Sequence, residues 1–179
     1  MTPHAPLATR PDRSETADYY FTYIEQVGVG NICDILDAQA PETLAFLRTI
    51  DEESSRYRYA PDKWSIADVI GHVNDAERLF VFRAFWFARG FDHPLPSFDQ
   101  DVAVKFAGAN DRPWAGHIEE FAAIRAASSA FFRSLSADAW TRRGIASDKP
   151  FTVRALAYIT AGHVAHHVRI LKERYDVRG

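Results

Sequence analysis

The chain has 179 residues, of which 47% are hydrophobic and 13% aromatic, so a single domain of ordinary size can bury a substantial core. Its 21 basic and 24 acidic side chains give a net charge of -3. A chain with this balance lacks the positive field that nonspecific binding to a phosphate backbone requires. We therefore expect no nucleic-acid partner.

Cys33 is the only cysteine, so no disulfide can form within the chain and nothing indicates an oxidising compartment. Residues 1–14 lack the apolar run of a signal peptide, and no later stretch is long enough to span a bilayer. We expect a cytoplasmic protein that does not bind membranes. Its predicted organisation is a flexible N-terminal segment at residues 1–17 and one helical bundle domain at residues 18–179.

Two stretches in the first half of the chain show apolar residues at helical spacing. The first runs from about residue 30 to residue 50, and Pro41 within it predicts a kink or a split near Ala40. An aromatic segment at residues 19–24 precedes it and is expected to pack across one end of the bundle. The second helix is predicted to begin at Ile66, because Ser65 and Asp68 have the spacing of a capping box, and to end near residue 89.

The second half of the chain supplies two further helices. A long connection at residues 91–113 holds three prolines and one short helical piece around residues 102–106. The third helix is predicted at about residues 115–135, and the fourth from near Thr152, a good cap, to about residue 174. No convincing strand alternation is found. The predicted fold is therefore an all-α four-helix bundle with a long connection between helices 2 and 3.

Three histidines fall on predicted inward faces of two helices. His163 and His167 are four residues apart, so their imidazoles share one face of the fourth helix. His72 has the helical phase of Ala76 and Arg83 and can also face inward. Buried imidazoles need a hydrogen-bond partner or a metal. The alternatives are a solvated, histidine-rich end of the fourth helix and, for His72, a histidine at the core edge bonded to a carboxylate.

The residues around these histidines resemble a known family. The segment 59–72, YAPDKWSIADVIGH, is similar to the opening of the second helix in the DinB-like superfamily of DinB- and YfiT-type proteins. The segments 151–159, FTVRALAYI, and 162–167, GHVAHH, are similar to the last helix of that family. The resemblance extends from about residue 30 to residue 175. Characterised members of this superfamily include YfiT-type hydrolases and thiol-dependent S-transferases.

The resemblance implies a four-helix bundle that holds one divalent metal ion through one histidine of the second helix and two of the last. These positions correspond to His72, His163 and His167, and His166 is expected to lie at the rim of the site. Zinc and nickel are the favoured ions, with iron and manganese as further candidates, because three imidazoles accept several first-row metals. The expected partner is a small-molecule substrate or a thiol, and a homodimer through helix faces is left open.

Asp75 is the candidate catalytic residue, since it lies one turn from His72 and could orient a nucleophile, act as a base or accept the imidazole N–H. Its alternative is an ion pair. Arg125 falls on the inward stripe of the third helix and needs an anion, for which Asp75 and Glu77 are both suitable. We predict that Asp75 pairs with Arg125. His93 and His117 are predicted to be exposed.

Two functional hypotheses follow. The first is a metal-dependent enzyme that activates water, as a hydrolase, or a low-molecular-weight thiol, as an S-transferase. The second is a non-catalytic, metal-binding stress-response protein in which the ion mainly joins helices 2 and 4. An open coordination position lined by a pocket favours the first hypothesis, and a fourth protein ligand favours the second.

Overall fold

The computed structural model describes residues 9–177, so residues 1–8 of the predicted N-terminal segment lie outside it. Four long helices and two short ones make up most of the described chain. They are α1 (Phe21–Ile24), α2 (Ile32–Leu47), α3 (Ile66–Ala88), α4 (Gln100–Ala107), α5 (Trp114–Arg133) and α6 (Val153–Arg174). The long helices α2, α3, α5 and α6 form the predicted four-helix bundle. No helix in residues 9–177 has an apolar stretch that could cross a membrane.

The bundle has a diagonal arrangement of its first two long helices. α3 packs mainly against α6 and α5, and α2 packs against the same two helices. Helices α2 and α3 are consecutive in the chain but lie diagonally opposite in the bundle. Each diagonal helix therefore contributes one face to the centre, where α3 brings polar side chains into contact with α5 and α6.

Capping side chains set the starts of the long helices. Ser65 Oγ accepts from the backbone N–H of Asp68 at 3.0 Å, and the Asp68 carboxylate accepts from the backbone N–H of Ser65 at 2.9 Å, as predicted. Thr152 Oγ1 caps α6 by accepting from the N–H of Ala155 at 3.0 Å. Pro41 lies inside an unbroken α2, so this helix is not split.

A two-stranded antiparallel hairpin precedes α6 and was not expected from the sequence. Its strands are β1 (Arg143–Ala146) and β2 (Lys149–Thr152), joined by Ser147 and Asp148. Both turn residues have positive φ, 51° and 57°, as the favoured two-residue turn requires. Leu95, in the long connection, donates its N–H to the Ile145 carbonyl at 2.9 Å and accepts from the N–H of Ser147 at 3.1 Å. The connection and the hairpin thus form one structural unit.

Close packing fixes the aromatic segment against α6. A Cβ at Gly162 would lie 2.2 Å from the carbonyl oxygen of Tyr23, so only glycine allows α1 to approach α6 this closely. The aromatic segment therefore packs against the bundle. In the long connection, α4 confirms the short helix that the sequence predicted.

The described part of the N-terminal segment also contacts the bundle. Glu15 is buried, and its carboxylate accepts from Thr152 Oγ1 at 2.7 Å and from Arg154 Nε at 3.1 Å. Residues 9–17 thus join the start of α6, while the division at residue 17 stays a prediction.

Candidate metal centre

Three histidine side chains meet between α3 and α6. The Nε2 atoms of His72 and His163 are 3.1 Å apart, and those of His163 and His167 are 3.2 Å apart. All three candidate ligand atoms lie within 4.8 Å of one another. The structure therefore brings together the three histidines that the sequence singled out, with His163 at the centre of the group.

Burial keeps these imidazoles neutral. His72 and His163 are 6% and 4% exposed, and His167 is partly buried. Desolvation lowers the pKa of His72 to about 4. Desolvation also lowers the pKa of His167, and the neighbouring His72 and His166 lower it further, to about 3. The pKa of His163 is also well below its ordinary value, mainly because of burial. Neutral imidazoles offer the nitrogen lone pairs that a metal needs.

The donor geometry fits a divalent ion. Two nitrogens bound to a tetrahedral ion at about 2.05 Å lie roughly 3.3 Å apart. The two shorter nitrogen separations, 3.1 and 3.2 Å, are close to that value. Without an ion, His163 Nε2 would face two other ring nitrogens, although a neutral imidazole nitrogen can donate or accept only one hydrogen bond. Within residues 9–177, no carboxylate or thiol joins the group as a fourth ligand.

Aromatic rings enclose the histidines. Tyr23 packs edge-on against His163 with ring centroids 5.2 Å apart, and Trp64 lies 5.0 Å from His72.

His166 is outside the group, and its Nδ1 is 3.2 Å from Gln26 Nε2. This position agrees with the rim location predicted for His166.

A cavity of about 130 Å³ opens beside the histidines. His72 and His163 lie at its inner end, and the exposed Phe98 and Gln100 lie in its lining. Arg83, on the same face of α3 as His72, also lines the cavity. The histidine group and the guanidinium therefore face the same cavity.

Asp75 is not part of this group. Its carboxylate accepts from Arg78 Nη1 at 3.2 Å, and its side chain is 35% exposed. Burial raises its pKa. No hydrogen bond joins Asp75 to His72 among the described residues, so a catalytic role for Asp75 stays a prediction.

Two other expectations for charged or titratable side chains were wrong. Arg125 pairs with Glu77 and not with Asp75, because Glu77 is buried in the bundle centre, whereas Asp75, two residues earlier, lies on a partly exposed face of α3. The Glu77 carboxylate is 2.8 Å from Arg125 Nη2. His117 is fully buried and donates from Nε2 to the Ala109 carbonyl at 2.9 Å. The exposed position of His93 is confirmed.

Sequence reasoning missed the side chains that form the rest of the cavity. Tyr20 and Tyr23 come from the aromatic segment, and Ser147 comes from the turn of the unexpected hairpin. These elements are distant in the chain and meet only through the fold. Arg83 had a usable signal, since it shares the helical phase of His72.

Comparison with known proteins agrees with this architecture. A search of curated proteins found no match. Among solved structures, the fold is similar to that of YfiT from Bacillus subtilis, described as a probable metal-dependent hydrolase with an unusual four-helix bundle topology. The TM-score is 0.70 at 14% identity, over 96% of this chain and 99% of YfiT. The family profile of the DinB superfamily matches residues 35–171. The chain belongs to the DinB superfamily.

Proposed function

We propose that the protein is a divalent-metal-dependent enzyme whose single ion is held by His72, His163 and His167. The observation that carries the proposal is the convergence of three imidazole side chains, two of which, His72 and His163, are buried and line a cavity. Zinc and nickel are the ions we favour, and iron and manganese suit the same donors.

The ion would supply Lewis acidity, which stabilises the anionic form of a nucleophile near neutral pH. The nucleophile in our proposal is water, which gives a hydrolase, and the similarity to YfiT, a probable metal-dependent hydrolase, supports this choice. A low-molecular-weight thiol is the second candidate, because it needs the same stabilisation of an anion.

The chain's own residues supply position and exclusion of solvent. The three histidines come from α3 and α6, two helices that pack tightly along their length. The rings of Tyr23, Trp64 and Phe80 pack around the imidazoles and limit the entry of water. The absence of a fourth protein ligand among residues 9–177 leaves room for a substrate at the ion.

The alternative is a non-catalytic protein in which the ion only joins α3 and α6. The cavity beside His72 and His163 favours the enzyme, because a purely structural site is normally closed by a fourth protein ligand. We propose a small-molecule substrate and no nucleic-acid partner, in line with the cavity of about 130 Å³.

Metal analysis of untagged protein, purified without added metal, tests the proposal. We expect about one ion per chain in the natural protein and a loss of the ion in His163→Ala. The matched control is His166→Ala, which removes a neighbouring imidazole outside the group and should keep the ion. Equal metal contents in the two variants would contradict the assigned ligands.

Two activity assays then separate the candidate reactions. Hydrolysis of p-nitrophenyl acetate tests activated water, and conjugation of glutathione to 1-chloro-2,4-dinitrobenzene tests an activated thiol. Turnover that depends on His163 but not on His166 supports catalysis. Bound metal with no His163-dependent turnover in either assay would favour the structural ion.

A further inference from the structure

We propose that Arg83 binds a carboxylate group of the substrate in the cavity beside the histidine group. This inference rests on the proposed function, which places the reaction at the histidine end of the cavity. It assigns the substrate class as small carboxylates.

The first observation is that Arg83 is buried without a counter-charge. Arg83 is only 2% exposed. Nη2 donates to the Pro96 carbonyl at 3.2 Å and to Ser147 Oγ at 2.8 Å, and the Tyr20 hydroxyl also interacts with the guanidinium. All of these partners are neutral. No described carboxylate lies within 4 Å of the guanidinium, and burial lowers the pKa of Arg83 accordingly.

The second observation is an unused donor. Arg83 Nε is buried and has no hydrogen-bond partner among the described residues. A buried donor without a partner costs about 1–3 kcal/mol, and a buried cation without an anion costs more. A ligand that brings a carboxylate to this donor would satisfy both requirements.

The third observation is location. Arg83 and the histidines His72 and His163 line the same cavity. His72, Ala76 and Arg83 follow one face of α3, so the cavity runs along this helix from the histidine group to the guanidinium. A molecule bound through a carboxylate at Arg83 would extend its other end toward the histidines.

The shape of the guanidinium and the size of the cavity favour a small carboxylate. Arg83 is the only Asp, Glu, Lys or Arg among the described residues that line the cavity. The guanidinium fork matches the two oxygens of a carboxylate, and the cavity of about 130 Å³ suits a small molecule.

Nuclear magnetic resonance of the ¹⁵N-labelled full chain, as isolated, tests this assignment. The probes are sodium acetate and, separately, inorganic phosphate at pH 7, with sodium chloride as the ionic-strength control. We expect acetate to shift the Arg83 Nε–H signal saturably. Arg83→Gln should weaken acetate binding about tenfold or more, because it removes a charge-assisted hydrogen bond.

Two further variants keep the test decisive. Arg89→Gln removes the same charge from the exposed end of α3, outside the cavity, and should bind acetate as the natural protein does. Ser147→Ala leaves the charge but removes the oxygen that holds Nη2, so we expect a smaller weakening than in Arg83→Gln. If Arg83→Gln does not fold, this variant and the Nε–H shift of the natural chain decide the question.

The outcomes separate this inference from the proposed function. Acetate binding that is the same in natural protein, Arg83→Gln and Ser147→Ala would overturn the role of Arg83, while the metal analysis could still support the enzyme. Tighter binding of phosphate than of acetate at Arg83 would overturn the carboxylate assignment. Arg83-dependent acetate binding in a protein that holds no metal would support the anion site and contradict the proposed function.

Discussion

Two buried arginines in this bundle have opposite surroundings. Arg125 is 1% exposed, and its Nε and Nη2 donate to the two carboxylate oxygens of Glu77 at 2.9 and 2.8 Å. Arg83 is 2% exposed and has only neutral partners among the described residues. The chain balances one of these charges itself and leaves the other to be balanced at the cavity.

The balanced arginine joins all four long helices. From α5, Arg125 reaches Glu77 on α3 and Gln39 on α2, and Gln39 Nε2 donates to the Ala161 carbonyl of α6 at 2.9 Å. A network with every member satisfied fixes how helices pack. A buried charge therefore indicates function only when the fold does not also bury an opposite charge beside it.

The largest expected effect is on stability, at the balanced site. Arg125→Met leaves the Glu77 carboxylate buried without a cation, so we expect the free energy of unfolding to fall by about 3–5 kcal/mol. Urea denaturation followed by circular dichroism measures the loss. The control is Glu77→Leu combined with Arg125→Met, which removes both charges and should recover most of it. A loss below about 1 kcal/mol in Arg125→Met would contradict a structural role for this pair.

Removal of the ion should have the next largest effect. An ion present at about 100 times its Kd stabilises the folded state by about 2.7 kcal/mol. We expect chelation to lower the Tm but to leave a helical, cooperatively melting protein, because the central network and the apolar core remain. Melting curves of ion-loaded protein, chelated protein and His167→Ala measure this. Loss of cooperative melting in the latter two would show that the ion holds α3 and α6 together.

Much of the bundle could be predicted from local patterns. The capping box of Ser65 and Asp68 gave the start of α3, and the four-residue spacing of His163 and His167 placed both rings on one face of α6. These signals lie within a few residues of one another. The family resemblance added His72 to this pair, and His72 lies 91 positions before His163 in the chain.

The rest depended on tertiary contacts. The β1–β2 hairpin has strands of only four residues and no glycine in its turn, so it gives little local signal. Asp75 and Glu77 were both candidate partners for Arg125, and the packed structure pairs Arg125 with Glu77. The buried His117 donates a hydrogen bond from Nε2 to the Ala109 carbonyl, a contact that the sequence of α5 alone does not indicate.

The histidine group should give the chelated protein a pH-dependent stability. The folded pKa of His72, about 4, is below the ordinary 6.5, so the unfolded chain binds the proton more readily. The contribution of His72 is present above pH 6.5 and is lost as the pH falls toward 4. Between pH 6.5 and 5.5, we expect chelated natural protein to lose about 1 kcal/mol more stability than chelated His72→Gln. Equal losses in urea denaturation would contradict the neutral, buried state of His72.

The smallest expected effect is at the unbalanced arginine, and it completes the comparison. Arg83→Met keeps an unbranched side chain, removes a buried charge that has no anion and gives up the contacts with the Pro96 carbonyl, Ser147 Oγ and the Tyr20 hydroxyl. The relief of the buried charge and the lost bonds oppose each other, so we expect unfolding free energy within about 1 kcal/mol of the natural protein. The matched measurement is Arg125→Met under the same denaturation conditions. If Arg83→Met were as destabilising as Arg125→Met, Arg83 would be a structural residue. Removing a charge that serves only to bind a ligand should change the stability of the ligand-free protein little.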